Sequence, residues 1–466
     1  MTMPLPELFI QQINELLPNE ASDMLAAIEK EPSLSVRLNS SKLLPELTAK
    51  HEMVPWCNEG LYLEERPQFT FDPLLHGGRY YVQDASSMIL TTIIRKLIDS
   101  PVRYLDLCAA PGGKTTAAIS SLPEGSLVLA NEIMNNRAQA LRENIIKWGD
   151  SSCIVTNTDS KAISRLKSYF DVIAADVPCS GEGMMRKDDE AVSQWTLDLV
   201  DECAARQREI IDNAWMALRP GGLLIYSTCT FNRKENEMMV EYIVNTLGGS
   251  SIDLDFPMEW AIYPAIDSKE YCYRFLPHCV RGEGLFISVI RKDEDENISL
   301  RDELFKKKSK PNGASVPSEI KNWIKEPDLM SFSMINDKIQ AFPKIYADDL
   351  ALIQQSLKVI YAGCELASLK GHDYAPSQAL AISTIINCSA FSKYDVPYND
   401  AIAYLRGESI TIDAPKGITL ITYKNLPIGF AKNLGNRANN LYPKEWRIKS
   451  TYMPNKQPEI ISYSGL

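Results

Sequence analysis

Between Val102 and Ile290 the chain alternates short, almost continuously apolar runs with longer stretches of helical periodicity. A run that is apolar at every position predicts a strand buried on both faces, as in a parallel sheet covered by helices. We therefore predict a doubly wound, Rossmann-like α/β domain. Its strands are predicted at Tyr104–Leu107, Ser126–Asn131, Cys153–Thr156, Val172–Ala175, Leu223–Ser227 and Leu285–Ile290, and its helices at Thr115–Leu122, Asn136–Trp148, Val192–Leu218 and Glu235–Thr246.

The 466 residues exceed what one domain of ordinary size holds. Further helices are predicted at Ser318–Ile324 and Ala347–Ala362, and a β-hairpin is predicted from Leu420–Tyr423 and Ile428–Ala431. The predicted division is a small α/β N-terminal domain over residues 1–98, the α/β core over 99–293, a linker over 294–318, a small mixed subdomain over 319–384 and a β-rich module over 385–466.

Composition excludes several classes of protein. Apolar runs shorter than about 10 residues cannot span a bilayer, and the N-terminus lacks the basic segment of a signal peptide, so we expect a cytoplasmic protein. The ten cysteines form no CxxC pair, which argues against a metal site or a disulfide framework. A net charge of −11 argues against a non-specific nucleic-acid binder, although the part from Arg301 onward carries 21 Lys and Arg against 16 Asp and Glu.

A turn of small residues follows the first strand of the predicted core. Glycines let a backbone approach a ligand closely, and the helix after the turn offers free N–H groups. The segment is neither a Walker A loop nor a GxGxxG motif, so a phosphate is not required. The candidate cofactor-binding residues of this turn are Cys108, Ala109, Ala110, Pro111, Gly112, Gly113 and Lys114.

Carboxylates follow the next three strands of the core. Glu132 is placed to accept hydrogen bonds from ribose hydroxyls, Asp159 lies near the expected position of an adenine, and Asp176 follows the fourth strand. An acidic set of this kind suits a nucleoside without phosphates, which favours S-adenosylmethionine over NAD or ATP. Glu132 and Asp159 could instead be helix N-caps.

Two cysteines end the fourth and fifth strands of the core. These strands are neighbours in the order 3-2-1-4-5, so Cys179 and Cys229 are expected at the same sheet edge, beside the cofactor turn. Two thiols there indicate covalent catalysis. A thiolate that attacks carbon 6 of a pyrimidine makes carbon 5 nucleophilic, and Asp176 is placed to donate a proton near N3.

Three segments resemble the signatures of the NOL1/NOP2/Sun family of RNA cytosine-C5 methyltransferases: Asp106–Thr115, Asp176–Met184 and Tyr226–Thr230. The likeness continues through Arg186, Lys187, Asn232 and residues 235–237. It implies a class I methyltransferase core that uses S-adenosylmethionine, held by residues 108–114, Glu132, Asp159 and Asp176. It further implies that Cys229 is the nucleophile, that Cys179 assists product release and that Lys187 faces the substrate.

The segment from Gly435 to Lys444 resembles the PUA-like tail of bacterial 16S ribosomal RNA enzymes of this family. The resemblance implies small-subunit ribosomal RNA as the substrate, with transfer RNA as the alternative, and we expect a monomer. A non-catalytic RNA-binding assembly factor and a DNA cytosine methyltransferase are the rival readings. Tyr442 and Trp446 could stack on bases or belong to the core, and the basic residues around them could contact RNA or solvent: Lys432, Arg437, Lys444, Arg447 and Lys449.

Overall fold

The computed structural model describes residues 3–42, 51–293, 316–371, 373–454 and 457–460. Most of the predicted linker, residues 294–315, lies outside the described residues. In the described residues, no helix combines the length and the apolar character that crossing a bilayer requires.

The described residues of the N-terminal part form three helices and a four-stranded antiparallel sheet, in which the strands lie in the order Met53–Val54, Cys57–Leu63, Leu34–Leu38 and Tyr80–Val82. Its apolar helix faces, which include Phe9 and Met24, pack against Trp195 and Leu276 of the core domain. The N-terminal part therefore covers one side of the core domain. Its elements are α1 (Glu7–Leu16), α2 (Ala21–Ile28), β1 (Leu34–Leu38), β2 (Met53–Val54), β3 (Cys57–Leu63), α3 (Pro73–His76) and β4 (Tyr80–Val82).

The core domain alternates strands and helices as predicted. Its elements are α4 (Ile89–Leu97), β5 (Arg103–Asp106), α5 (Gly113–Ser121), β6 (Leu127–Asn131), α6 (Asn135–Trp148), β7 (Cys153–Thr156), α7 (Ser160–Ile163), β8 (Phe170–Asp176), α8 (Asp189–Gln194), α9 (Leu197–Ala217), β9 (Leu218–Thr228), α10 (Glu237–Leu247), β10 (Gly249–Ser251), β11 (Tyr263–Pro264), β12 (Tyr273–Phe275) and β13 (Leu285–Lys292).

The C-terminal part contributes two further four-stranded sheets, of orders β14-β15-β17-β18 and β19-β20-β21-β22. Its elements are α11 (Ser318–Lys321), β14 (Met330–Ile335), β15 (Lys338–Pro343), α12 (Ala347–Ser356), β16 (Val359–Ala362), β17 (Cys364–Lys370), β18 (Asp373–Pro376), α13 (Gln378–Ala381), β19 (Ser392–Asp395), α14 (Tyr398–Leu405), β20 (Gly417–Tyr423), β21 (Leu426–Asn433) and β22 (Ala438–Asn440). Short 3-10 helices connect several elements of the chain.

The central sheet confirms the doubly wound prediction. Its parallel strands run in the order β7-β6-β5-β8-β9, which is the predicted 3-2-1-4-5, and β13 adds an antiparallel edge beside β9. Successive strand residues face opposite sides. Leu105 and Ile173 pack in one apolar cluster, whereas Tyr104 and Ala174 pack in the other. Burial on both faces explains why these strands read as continuous apolar runs.

Two predicted helices differ from the structure. The predicted helix Val192–Leu218 is broken into α8 and α9, because Trp195 is extended and Thr196 caps α9 by accepting a hydrogen bond from the Leu199 N–H at 3.0 Å. The prediction of one helix over Ala347–Ala362 was wrong at its end. Val359–Ala362 is a strand that pairs antiparallel with β7, because the open edge of the core sheet offers backbone partners to this β-branched and aromatic segment.

The predicted C-terminal hairpin is confirmed as β20 and β21. Lys424 and Asn425 form its turn with φ values of 49° and 60°, the left-handed conformation that a two-residue hairpin loop requires. Tyr442 is only 2% exposed and lies in the apolar cluster of this module, so the core interpretation holds for it. Trp446 is partly buried, and the Lys147 Nζ lies 5.3 Å from the centre of its ring.

A buried ion pair joins β12 to the start of α10. The Arg274 guanidinium donates to both carboxylate oxygens of Glu237 and to the Phe231 carbonyl, and both charged side chains are at most 1% exposed. Losing one partner of a buried pair leaves an uncompensated charge. The pair therefore fixes the segment that follows β9, which carries Cys229.

Replacing Arg274 by Met should lower the free energy of unfolding by about 3–5 kcal/mol, because Glu237 would remain buried without its cation. Urea denaturation followed by tryptophan fluorescence measures the change. Arg281→Met is the matched control: Arg281 pairs with Glu52 at the surface, with side chains 42% and 69% exposed, and its loss should cost less than about 1 kcal/mol. Equal losses for the two variants would contradict this account.

Candidate active site

The turn after β5 brings its backbone to one end of the sheet. Gly112 adopts φ 113°, a left-handed conformation that disfavours any residue with a Cβ. A Cβ on Gly113 would lie 3.3 Å from the Tyr81 ring, tighter than an ordinary contact. The second glycine therefore permits close packing of the turn against the N-terminal part of the chain.

A cavity of about 270 Å³ lies beyond this turn. It is bounded by the turn, by the loops that follow β8 and β9, by the segment before β13 and by residues 81–84 of the N-terminal part. The predicted site residues that line it are Cys108, Ala109, Ala110, Pro111, Gly113, Lys114, Asp176, Lys187 and Cys229. Its other lining residues are Tyr81, Val82, Gln83, Asp84, Ser87, Gly183, Met184, Glu283, Gly284 and Leu285.

Three predicted cofactor residues do not line this cavity. A Cβ on Gly112 would point to Leu141 of α6. Glu132 is 3% exposed; it accepts a hydrogen bond from the Met134 N–H at 2.8 Å and lies 3.5 Å from an Arg137 nitrogen. Asp159 is exposed and caps α7 by accepting from the Ala162 N–H at 2.7 Å, as the helix-cap alternative proposed. Cofactor contacts of these three residues stay predictions.

Lys114 is held between an acid and a thiol. Its Nζ lies 2.9 Å from one carboxylate oxygen of Asp176, and the Ser227 hydroxyl donates to the other at 2.8 Å. The positive charge of Lys114 also acts on Cys229. Asp176 therefore accepts two hydrogen bonds, and Lys114 is the member of the pair that carries the proton.

Asp106 lies beneath the turn and is 1% exposed. Burial raises the pKa of its carboxyl to about 7, and the nearby charges of Asp176 and Glu132 act in the same direction. The Thr115 hydroxyl donates to it at 2.6 Å. Asp106 thus ties the end of β5 to the start of α5 and shapes the turn from below.

The two predicted thiols lie together. Their sulfur atoms are 3.3 Å apart, although 50 positions separate Cys179 and Cys229 in the chain. The pKa of Cys229 is lowered, first by a hydrogen bond from the Cys179 thiol and further by Lys114. The pKa of Cys179 is raised by the same hydrogen bond and by burial. Cys229 is therefore the thiolate of the pair, and Cys179 is its proton-bearing neighbour.

The loop after β8 reaches into the loop after β9 through Glu182. This carboxylate is fully buried and accepts from the backbone N–H groups of Phe231 and Asn232 at 2.6 and 3.0 Å. The Trp195 indole and the Gln12 amide also donate to it, at 3.1 and 2.9 Å. Glu182 thereby holds the β9 loop, the core helices and α1 in one arrangement.

A second buried carboxylate, Glu235, connects the loop after β9 back to the loop after β8. Glu235, from the β9 loop, accepts from the Ser180 N–H at 3.0 Å and from its hydroxyl at 2.5 Å. Gln207 and Asn232 donate to it at 2.7 and 2.8 Å. Each thiol-bearing loop therefore contributes an acid that binds the other loop, and this reciprocal arrangement is what holds the sulfur atoms at contact distance.

Three family profiles match consecutive parts of the chain. The family described as "16S rRNA methyltransferase RsmB/F" matches residues 98–291, the "N-terminal domain of 16S rRNA methyltransferase RsmF" matches 5–85, and the "Methyltransferase RsmF PUA domain" matches 391–448. The chain thus has the three domains of the RsmF methyltransferases, with the RsmB/F methyltransferase domain at residues 98–291. The predicted resemblance and the predicted PUA-like module are thereby confirmed.

Curated relatives extend the likeness over nearly the whole chain. The protein named ribosomal RNA small subunit methyltransferase F from Escherichia coli O9:H4 is 29% identical over 95% of this chain and 97% of its own length. The protein of the same name from Escherichia fergusonii is also 29% identical, over the same shares.

Two solved structures each resemble 62% of the chain. A methyltransferase homologue from Pyrococcus horikoshii is 26% identical, has a TM-score of 0.53 and covers 62% of this chain and 95% of its own. NSun6 from the same organism, solved with SFG, is 21% identical with a TM-score of 0.54, and covers 62% of this chain and 99% of its own. The second likeness supports the fold alone.

The cavity suits S-adenosylmethionine. Small residues of the turn leave room beside the backbone, and the carboxylates of Asp84 and Asp176 complement a cofactor with a sulfonium and an ammonium group. Lys114 and Lys187 are the cations that line it, and Lys114 is already paired with Asp176. This donor set does not resemble a triphosphate site.

The sequence did not predict that side chains of the N-terminal part contribute to the site. Arg37 donates to Gln83 at 2.8 Å and to Thr116 of α5 at 2.6 Å, so the N-terminal sheet is tied to the helix that follows the turn. Asp84 accepts from the Glu283 N–H at 2.9 Å. The sequence analysis assigned no role to the side chains of residues 81–87, which come before the predicted core.

The pKa of Cys229 can be measured through its alkylation. Since the thiolate is the reactive form, the rate of modification by iodoacetamide should rise with pH through an inflection that marks the pKa of Cys229. This inflection should lie below the ordinary pKa of a cysteine. In Lys114→Met the inflection should move to higher pH, because the thiolate loses a neighbouring cation. Peptide mass spectrometry measures the rate at Cys229. Lys187→Met serves as the control and should leave the inflection in place; an equal shift in both variants would contradict the assignment.

Proposed function

We propose that this protein transfers a methyl group from S-adenosylmethionine to carbon 5 of cytosine in RNA, through a covalent adduct between Cys229 and carbon 6. The observation that carries the proposal is the thiol pair: a thiolate stabilised by a thiol at 3.3 Å, in a cavity shared with the Lys114–Asp176 pair. Thiol addition is chemistry that methylation of carbon 5 needs and that methylation of a base nitrogen does not.

The addition step belongs to Cys229. A lone pair of its thiolate forms the bond to carbon 6, the C5=C6 electrons move to form C4=C5, and the C4=N3 electrons move to N3, which takes a proton. We assign that proton to Lys114, since Asp176 accepts hydrogen bonds from two donors and has none to give. Asp176 then orients the lysine, which differs from the acid role predicted for it.

S-adenosylmethionine, when bound, supplies the electrophilic methyl group. Once carbon 5 carries that group, a base removes the carbon-5 proton, the C5=C6 double bond re-forms and the sulfur of Cys229 leaves as a thiolate. N3 returns its proton to the Lys114–Asp176 pair. The raised pKa of Cys179 keeps it a hydrogen-bond donor, so we infer that it assists release by stabilising the departing thiolate.

Small-subunit ribosomal RNA is the substrate that we propose. The curated relatives that match 95% of this chain are named as methyltransferases of this RNA. The module at residues 391–448 matches the PUA domain of the same enzymes, and a cytoplasmic location would suit work on ribosomal RNA. The intact thiol pair argues against a non-catalytic assembly factor.

The two cysteines should fail in different ways. Cys229→Ala should abolish methylation and still bind S-adenosylmethionine, because its sulfur forms the adduct. Cys179→Ala should accumulate an enzyme–RNA adduct, because the departing thiolate loses its hydrogen-bond donor. The adduct is measured as a slower band on a denaturing gel after incubation with unmodified 16S ribosomal RNA and cofactor.

Cys388→Ala is the matched control, since this cysteine lies in the C-terminal part of the chain and outside the cavity. It should methylate RNA at the wild-type rate and give no stable band. A stable band from Cys229→Ala, together with normal turnover by Cys179→Ala, would reverse the proposed roles.

A further inference from the structure

Glu283 is a buried carboxylate that the mechanism above does not use. It lines the active-site cavity, is 6% exposed and makes no hydrogen bond to the described residues through either carboxylate oxygen. Burial raises the pKa of its carboxyl and Asp84 raises it further, whereas Lys187 and Arg186 lower it. A buried polar group without a partner costs stability, so a carboxylate kept in this state indicates a ligand that completes it.

Backbone contacts fix the position of Glu283 in the chain segment before β13. The Glu283 N–H donates to Asp84 at 2.9 Å, and a Cβ on Gly183 would lie 2.9 Å from the carbonyl oxygens of both Glu283 and Cys229. Phe286 of β13 pairs with Thr228 of β9, and this antiparallel register brings the segment before β13 alongside Cys229. Glu283 therefore lies next to the proposed nucleophile.

The charged groups that act on Glu283 differ from those that act on the cofactor turn. Asp84, Lys187 and Arg186 are the charges that act on it. The turn at Cys108 is influenced instead by Asp106, Asp176, Glu132 and Arg137. In the central sheet, β9 and β8 lie between β13 and β5, so the segment before β13 and the cofactor turn after β5 reach the cavity from positions separated by two strands.

We infer that Glu283 is a specificity-determining residue that accepts a hydrogen bond from the exocyclic amino group of the target cytosine. This inference rests on the proposed cytosine-C5 methylation. A carboxylate only accepts hydrogen bonds, and the amino group at carbon 4 distinguishes cytosine from uracil, which carries a carbonyl oxygen there. Glu283 thus binds the correct base and repels uracil.

Glu283→Gln is the variant that tests this role. Its side chain keeps the size of glutamate, but its amide can accept from the cytosine amino group or donate to the uracil carbonyl. Discrimination between the two bases should therefore fall by roughly tenfold or more. Affinity for S-adenosylmethionine should change by less than about twofold, since two strands of the sheet separate the segment that carries Glu283 from the cofactor turn.

The measurement uses 16S ribosomal RNA transcripts in which all cytidine is replaced by 5-fluorocytidine, or all uridine by 5-fluorouridine. Fluorine at carbon 5 cannot be removed as a proton is, so the adduct persists and can be quantified on a denaturing gel. The ratio of the two trapping rates, measured with cofactor present, is the discrimination. Glu52→Gln is the matched control, because Glu52 is exposed and pairs with Arg281 at the surface.

Wild type and Glu52→Gln should trap 5-fluorocytidine RNA strongly and 5-fluorouridine RNA weakly, and Glu283→Gln should lose this preference. An unchanged ratio in Glu283→Gln would overturn the inference. A large loss of cofactor affinity with the ratio intact would also overturn it, and would assign the carboxylate to the cofactor ammonium. If wild type binds cofactor but traps no 5-fluorocytidine RNA, the proposed function itself fails, which separates the two outcomes.

Discussion

The catalytic geometry depends on two buried acids that bind each other's loops. Glu182, in the loop after β8, accepts hydrogen bonds from N–H groups of the loop after β9. Glu235, in the loop after β9, accepts hydrogen bonds from the N–H and the hydroxyl of Ser180. Hydrogen bonds to charged groups are stronger than neutral ones, and a buried carboxylate that loses donors is costly. The distance between Cys179 and Cys229 follows from this arrangement, and neither loop can move without leaving an acid unsatisfied.

The surroundings of the two cysteines shift their pKa values in opposite directions. The hydrogen bond between the two sulfur atoms lowers the pKa of Cys229 and raises that of Cys179. Lys114, which pairs with Asp176, lowers the pKa of Cys229 further, and burial raises that of Cys179. Two cysteines of equal intrinsic acidity thus become a thiolate and a thiol. The structural network around the loops and the chemistry in the cavity are one system, because the two acids hold the loops that place the sulfur atoms within hydrogen-bond distance.

Much of this site could be predicted from the sequence, because short apolar runs predict the strands, and the order of the strands determines which distant residues meet. The apolar runs specified the parallel sheet, and the sheet brought Cys179 to Cys229. Contacts between segments without such a pattern were not predictable. Val359–Ala362 joins the core sheet only because β7 offers an open edge. Glu283 is buried by segments that lie far from it in the chain.

The central claim is that the sulfur of Cys229 forms the bond to the RNA base. Its most direct test is to digest the adduct that wild-type protein forms with 5-fluorocytidine RNA and to locate the nucleotide by peptide mass spectrometry. The account predicts that the modified peptide contains Cys229 and that the peptide with Cys179 is unmodified. Recovery of the nucleotide on Cys179 would contradict the account, because the thiol with the raised pKa would then be the nucleophile.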